Sequence, residues 1–313
     1  MARKIIIDTD PGQDDAVAIL LALGSPEELD VQGIVTVAGN VPLTRTTYNA
    51  RQILELAQRV DVPLYAGCAR PMRRKLATAE YVHGASGLDG PSLPAPTMLV
   101  REQHGVLFIV DALRAARPGE ITLVTLGPLT NIAMAMVLAP DIVERIAEIV
   151  MMCGAFSETG NITPAAEFNS YVDPEATDVV LESGAKITMV PLDVTHQCLS
   201  TRPRLQAIRE LGNASGIAAC EMLTFSERFD TQKYGWDGAP LHDPCTIAYL
   251  LAPELFGGKR VNVRVETGHG LAAGMTVTDW WCVTERPVNA LFLREVDVPG
   301  FYKLLTERLA RLP

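Results

Sequence analysis

Residues 4–23 read KIIIDTDPGQDDAVAILLAL, and this stretch decides the fold. Lys4–Ile7 carries the unbroken β-branched run Ile5–Ile7, which predicts a strand buried on both faces. Pro11 and Gly12 supply a turn, and Asp14–Leu23 has the pattern of a helix that opens on acids, where its dipole favours them. The alternation continues outward. Strands are expected at Val31–Val37, Val62–Tyr65, Ile121–Thr125, Ile146–Met152 and Ile187–Pro191. Helices are expected at Leu43–Gln58, Val106–Ala116, Leu129–Leu138 and Pro174–Glu182. Strand–helix alternation of this kind predicts an α/β protein with an open, mostly parallel sheet and helices on both faces, a Rossmann-like core.

Beyond residue 200 the pattern changes. Helices are expected at Arg202–Leu211, Ile217–Phe229 and His242–Leu251. Arg260–Glu266 and Met275–Val283 then read as a small antiparallel addition, followed by a strand at Val288–Leu293 and a closing helix at Gly300–Arg311. There is no Ser/Gly-rich linker, charge block or internal repeat, so one domain over 1–313 is expected. Segments 76–97 and 229–241 carry Gly, Pro and aromatics without a clear period, and are expected to be lid loops over a site.

Composition narrows the function. The 313 residues hold 27 Lys and Arg against 37 Asp and Glu, a net charge of −10. Such a balance argues against a nucleic-acid polymer as partner, because phosphate neutralisation needs a basic face. No apolar run is long enough to cross a membrane, and MARKIIIDTD puts acids where a signal peptide needs an apolar core, so a cytoplasmic protein is expected. The six cysteines form no CxxC pair and read as reduced thiols, mostly core filler.

Asp8, Asp10, Asp14 and Asp15 crowd the carboxyl end of the first strand and the start of the first helix. Ligands of open α/β sheets bind beyond the carboxyl ends of strands. Two carboxylates about 4 Å apart repel by about 4 kcal/mol at an effective dielectric of ~20, while a helix dipole returns only about 0.3–1 kcal/mol. Either some of these acids are protonated or a cation sits among them. Oxygen-only donors suit Ca²⁺ or Mg²⁺ better than Zn²⁺. The plainer reading makes Asp14 and Asp15 helix-cap acids and Asp8 a solvated strand end.

Two further clusters stand out. In LHDPCTIAYLL, Asp243 is a natural N-cap before Pro244, and His242 titrates in the range useful for proton transfer. In GNITPAAEFNSYVDPEA, Asn161, Glu167 and Asn169 follow a strand end, and amide and carboxylate groups facing one cavity would suit sugar hydroxyls. A capping Asp, a structural His and a polar loop are the alternatives. TVAGN adds Asn40 after another strand, and TLGPLTN puts a turn at Gly127–Pro128 that frees a backbone carbonyl.

Taken together, DTDPGQDDAVAILLAL, TVAGN, HGASGLDGP, TLGPLTNIA, GNITPAAEFNSYVDPEA, PLDVT and LHDPCTIAYLL resemble the nucleoside hydrolase family, the inosine-uridine preferring nucleoside hydrolases. The likeness runs in order from residue 4 to about residue 251. It implies the nucleoside hydrolase fold and Ca²⁺-dependent cleavage of the N-glycosidic bond of ribonucleosides. Asp10, Asp15 and Asp243 would ligate Ca²⁺, with the Leu126 carbonyl as a further ligand; Asp8 matches the signature but falls outside this set. Asp14, Asn40 and Asn169 would hold the ribose hydroxyls, with Asp243 beside them, and Asn161 and Glu167 the 5′-hydroxyl end. Asp10 would take the proton of the attacking water. His242, helped by Tyr234, would serve the leaving base; His83 would line the base end, and Phe168 and Trp236 would stack on the base. A homodimer or homotetramer is also implied.

Two rival readings remain. IIIDTD also resembles the aspartyl nucleophile of a Mg²⁺-dependent phosphohydrolase of the haloacid dehalogenase type, although the Lys and later acidic pair that chemistry needs are not evident. A non-catalytic nucleoside- or ribose-binding protein could use the same scaffold. GHGLAAG at 268–274 has the wrong spacing for a dinucleotide fingerprint and leads into a strand pattern, not a helix.

Overall fold

The computed structural model describes residues 2–313 and follows the expected order closely. Its elements are β1 (Arg3–Thr9), α1 (Gln13–Leu23), β2 (Leu29–Thr36), α2 (Leu43–Leu56), β3 (Leu64–Ala66), α3 (Glu80–His83), α4 (Gly105–Ala115), β4 (Ile121–Thr125) and α5 (Thr130–Leu138). There follow β5 (Ile146–Met152), α6 (Phe168–Val172), α7 (Pro174–Leu181), β6 (Ile187–Val190), α8 (Leu192–Thr195), α9 (Arg202–Arg209), α10 (Ala214–Tyr234) and α11 (Pro244–Leu251). The chain closes with β7 (Phe256–Val265), β8 (Thr276–Asp279), β9 (Ala290–Val296) and α12 (Val298–Leu309).

The nine strands form one sheet in the order β3-β2-β1-β4-β5-β6-β9-β7-β8. Pairing is parallel from β3 through β9, and β7 runs antiparallel to both β9 and β8. The expected antiparallel addition is therefore present, with β9 returning it to the parallel core. Strand order reverses at β1, which pairs with β2 on one side and β4 on the other. That reversal is the switch point of an open α/β sheet, where a crevice opens beyond the strand ends. The DTD run occupies it.

Burial explains why the KIII run is unbroken. Ile5, Ile6 and Ile7 are all fully buried, with Ile5 and Ile7 in the apolar layer under α1 and Ile6 in the layer on the opposite face. Side chains alternate along a strand, so a strand covered on both faces needs no polar position. Helix α1 is itself buried along Ala16–Leu23, packed against α10 and α11. This packing brings residues near 14 and 243 to one place.

Two boundaries differ in ways that matter. The segment 229–241 is not all loop, because α10 runs through residues 229–234 and stops at Gly235, which adopts φ +69° as its C-cap. A left-handed cap of this kind is a role for glycine. The helix expected from His242 begins only at Pro244. Segment 76–97 is irregular as expected, apart from the single turn of α3.

Candidate active site

A cleft of about 870 Å³, open to solvent, lies beyond the carboxyl ends of the central strands. Its lining includes Asp14, Asn40, His83, Leu126, Asn161, Glu167, Phe168, Asn169, Tyr234, Trp236, His242 and Asp243. Of the acids, amides, histidines and aromatics singled out from sequence, only Asp8, Asp10 and Asp15 are missing from this lining. Those three are buried.

The floor is a knot of carboxylates. One oxygen of Asp10 accepts the Asn40 amide at 2.7 Å, while Oδ1 is buried with no partner. Asp15 accepts from the Thr9 hydroxyl at 2.6 Å and from the backbone amides of Asp10 and Gly12 at 3.2 and 3.0 Å. The cap-acid reading thus holds for Asp15, which closes back on the helix start. It fails for Asp243. That residue sits at the N-cap of α11 with helical φ −67° and ψ −39° and makes no capping hydrogen bond. Its carboxyl instead approaches that of Asp15, and oxygens of Asp14, Asp15 and Asp243 lie within 4.8 Å of one another. This trio has Asp14 in the place expected for Asp10.

Burial raises the affinity of these acids for protons. Asp8 is pushed up to about 8 and Asp14 to about 7, by desolvation first and then, against the hydrogen bonds that offset it, by the charge of Asp15. Asp10 and Asp243 are also raised well above the ordinary carboxylate range, for the same first cause and through the surrounding acids. Asp8 is not a solvated strand end. It is buried, accepts from Asn131 Nδ2 at 2.7 Å, and leaves its other oxygen unpartnered. All the donors at this floor are oxygens, and an orphaned carboxylate oxygen lies buried among like charges, so the residues fit a hard divalent cation.

Polar side chains ring this floor. Asn169 Nδ2 donates to the Leu126 carbonyl at 2.7 Å and to Met152 O at 3.0 Å. Asn40 Nδ2 donates to Asp10 O and Asp15 Oδ2, both at 3.2 Å. Glu167 caps α6, accepting from the amides of Asn169 and Ser170, and from Gly154. Asn161 Oδ1 accepts the Phe168 amide at 2.9 Å.

The opposite end is aromatic and carries neutral histidines. Tyr234 and Trp236 stack at 4.5 Å, with His196 against Trp236 at 4.9 Å and 5.8 Å from His242. His242 Nδ1 is 2.7 Å from the Thr195 hydroxyl, and burial lowers its pKa to about 3. His83 stands apart from these, over the start of α1 beside Gly12 and near the acid floor; its Nδ1 lies 2.6 Å from Gln13 Oε1, an acceptor only, so Nδ1 carries the proton. Burial lowers its pKa to about 4.

Sequence reading missed Tyr81, His196, Phe229 and Asp230, all of which line the cleft. Tyr81 and Phe229 meet at 5.4 Å, joining segment 76–97 to α10 across the mouth. His196 directly follows PLDVT and is held by Glu158 at 2.9 Å. Asp230 precedes Tyr234 by four residues, a signal that is legible only once α10 is carried to Gly235.

The match to known proteins covers the whole molecule. Residues 5–303 match the model of the inosine-uridine preferring nucleoside hydrolase family. A Schizosaccharomyces pombe protein is 53% identical over 310 residues, covering 99% of this chain and 100% of its own. The pyrimidine-specific ribonucleoside hydrolase RihA of Photobacterium profundum is 46% identical, covering 99% of each chain. Among solved structures, a plant nucleoside hydrolase superposes with TM-score 0.92 at 35% identity over 99% of each chain. The purine-preferring ribonucleoside hydrolase of Gardnerella vaginalis does so with TM-score 0.91 at 31% identity over 98% of each. The fold, the strand-end cleft and these likenesses agree: the chain belongs to the inosine-uridine preferring nucleoside hydrolase family, and is an N-glycosyl hydrolase of ribonucleosides.

Proposed function

We propose that this enzyme cleaves neutral ribonucleosides to ribose and free base with Ca²⁺ bound at the acid floor, and that pyrimidine nucleosides are its preferred substrates. One observation carries the reading. Buried acids close one end of a single cleft, amides ring its middle and aromatics with neutral histidines form its other end. No Lys or Arg lines the cleft among the described residues, which disfavours a phosphorylated substrate and the phosphohydrolase alternative. Pyrimidine preference rests on the name of the Photobacterium relative and on Tyr234 near His242.

Asp10, Asp15, Asp243 and the Leu126 carbonyl would hold Ca²⁺. Once bound, the ion would supply positive charge that polarises water and anchors the ribose diol. Asp14, Asn40 and Asn169 take the ribose hydroxyls, and Asn161 and Glu167 take the 5′-hydroxyl. Asp10 has an oxygen without a partner, so it can accept the proton of the attacking water. Bond cleavage leaves an oxocarbenium-like ribosyl cation, which the surrounding carboxylates and amide oxygens stabilise. His242 and Tyr234 serve the departing base, while His83, Phe168 and Trp236 surround it. Segments 76–97 and 229–241 act as lids on one domain, and the enzyme works as a cytoplasmic homodimer or homotetramer. The test is base release from inosine, adenosine, uridine and cytidine, with and without prior chelation. Cleavage of none of them with Ca²⁺ present overturns the proposal, and full activity after chelation overturns its metal.

A further inference from the structure

Helix α10 lays one stripe of side chains into the cleft: Leu223, Ser226, Asp230 and Tyr234. Their spacing of three, four and four residues is that of a single helix face. Leu223 is apolar, and the Ser226 hydroxyl donates to Leu223 O at 3.1 Å. Tyr234 is stacked on Trp236. Asp230 is the one carboxylate of the stripe. It is partly buried, and no hydrogen bond relieves it; Lys233 on its own helix is its one cationic neighbour, and its charge also bears on Asp14 across the cleft. Lys233 donates its Nζ hydrogen bond elsewhere, to Asn161 O at 3.1 Å. A carboxylate without a donor, facing a cleft, calls for a donor on the ligand.

The ribose has enough partners without it, at Asp14, Asn40 and Asn169. Asp230 lies one helical turn from Tyr234 and within reach of the charge of Asp14, so it stands between the acid floor and the aromatic end, where the base joins the ribose. We propose that Asp230 is a specificity-determining residue that accepts a hydrogen bond from an exocyclic amino group of the base. It would thereby favour an amino base such as cytosine over a keto base such as uracil. This inference rests on the nucleoside hydrolase reading above. The chemistry is that of base-edge recognition, in which a carboxylate accepts from the cytosine amino group and repels the carbonyl oxygen uracil carries there. Burial pushes the Asp230 pKa up to about 7, with Lys233 opposing, so the group is ionised in mildly alkaline buffer.

The experiment measures kcat/KM for cytidine and for uridine, in the Ca²⁺-loaded enzyme at about one pH unit above that pKa, for wild type, Asp230→Asn and Asp230→Ala. Both variants are expected to lower the cytidine-to-uridine ratio by about tenfold or more, since both lose a charge-assisted contact made by one substrate only. A variant that folds poorly lowers both rates and leaves their ratio alone, so the ratio isolates the role. A ratio within about twofold of wild type in both variants overturns the inference while leaving the hydrolase reading intact; such a result includes the case in which Asp230 holds a ribose hydroxyl common to both substrates. Wild type that releases neither base overturns the inference and the pyrimidine preference, and the hydrolase reading falls with them only if inosine and adenosine are also left intact.

Discussion

Stripping the divalent cation should make the protein's stability fall as pH rises, whereas the Ca²⁺-loaded protein should hold its stability. Asp8 gives the scale. Its pKa moves from an ordinary 3.8 to about 8, through burial opposed by Asn131 and reinforced by the charge of Asp15. An acid whose folded pKa lies above its unfolded value binds the proton more tightly when folded. Its contribution is fully present below the unfolded value and is lost as pH rises through the folded one. The span is about 4 units, and at 1.36 kcal/mol per unit the ceiling for Asp8 alone is about 6 kcal/mol. Asp10, Asp14 and Asp243 shift in the same direction. Rearrangement and water entry reduce the realised loss, so about 2–4 kcal/mol between pH 5 and 8.5 is expected for the stripped protein, or roughly 3–6 °C in Tm. A bound cation supplies the opposing charge and holds these carboxylates ionised. Thermal unfolding followed by circular dichroism across that pH range, at matched ionic strength with chelator or with Ca²⁺, reads the difference. Parallel Tm–pH curves would refute the view that these acids are organised around a cation.

Asp243→Asn should lower kcat by about a thousandfold and weaken Ca²⁺ binding at least tenfold, read by steady-state base release and calorimetric titration. His242→Ala should lower kcat by about 10²–10⁴, to different extents for purine and pyrimidine nucleosides; equal turnover to wild type on both would remove it from leaving-group chemistry. Gly39→Ala places a Cβ against Asp10 Oδ2, and Gly127→Ala places one against Asp10 Oδ1. Each should weaken Ca²⁺ affinity with far-ultraviolet circular dichroism unchanged, and wild-type affinity in both would show that Asp10 is not held where metal binding needs it.

How much of this was legible depended on range. The strands Ile121–Thr125 and Ile146–Met152 were readable to the residue, because a strand buried on both faces is a continuous apolar run with turn residues at its ends. The end of α10 was misplaced because Thr231–Tyr234 is polar outside and aromatic inside, and the period alone does not carry a helix through it. Gly235 was the available stop signal. Asp243 shows a deeper limit. Aspartate before proline at a helix start is a capping pattern, and only the backbone angles, together with a neighbour 228 residues away in Asp15, turn its carboxyl into the acid floor. His196 and Asp230 carried no local mark; each became a cleft residue through packing between elements distant in sequence.

The charge pattern of the cleft constrains how the base can leave. A site this rich in carboxylates would ordinarily hold its histidines protonated, yet His242 and His83 are driven to about 3 and about 4, by burial first. For His242 the next causes are the other histidines, which disfavour a second positive charge nearby. No Lys or Arg lines the cleft among the described residues; Lys233, the cation beside the aromatic end, lies over the Tyr234 ring at 4.8 Å and gives its hydrogen bond to Asn161 O. Positive charge enters from outside the chain, in the metal, or arises during the reaction, on the ribose. A neutral His242, anchored by Thr195 at Nδ1, can give the base a hydrogen bond in the ground state without repelling that metal. Electron density reaches the base only as the glycosidic bond breaks, and the base becomes a strong acceptor at that moment. With His242 in the proposed role, help to the leaving group would be concentrated in the transition state, where it lowers the barrier, with no equal stabilisation of the bound nucleoside.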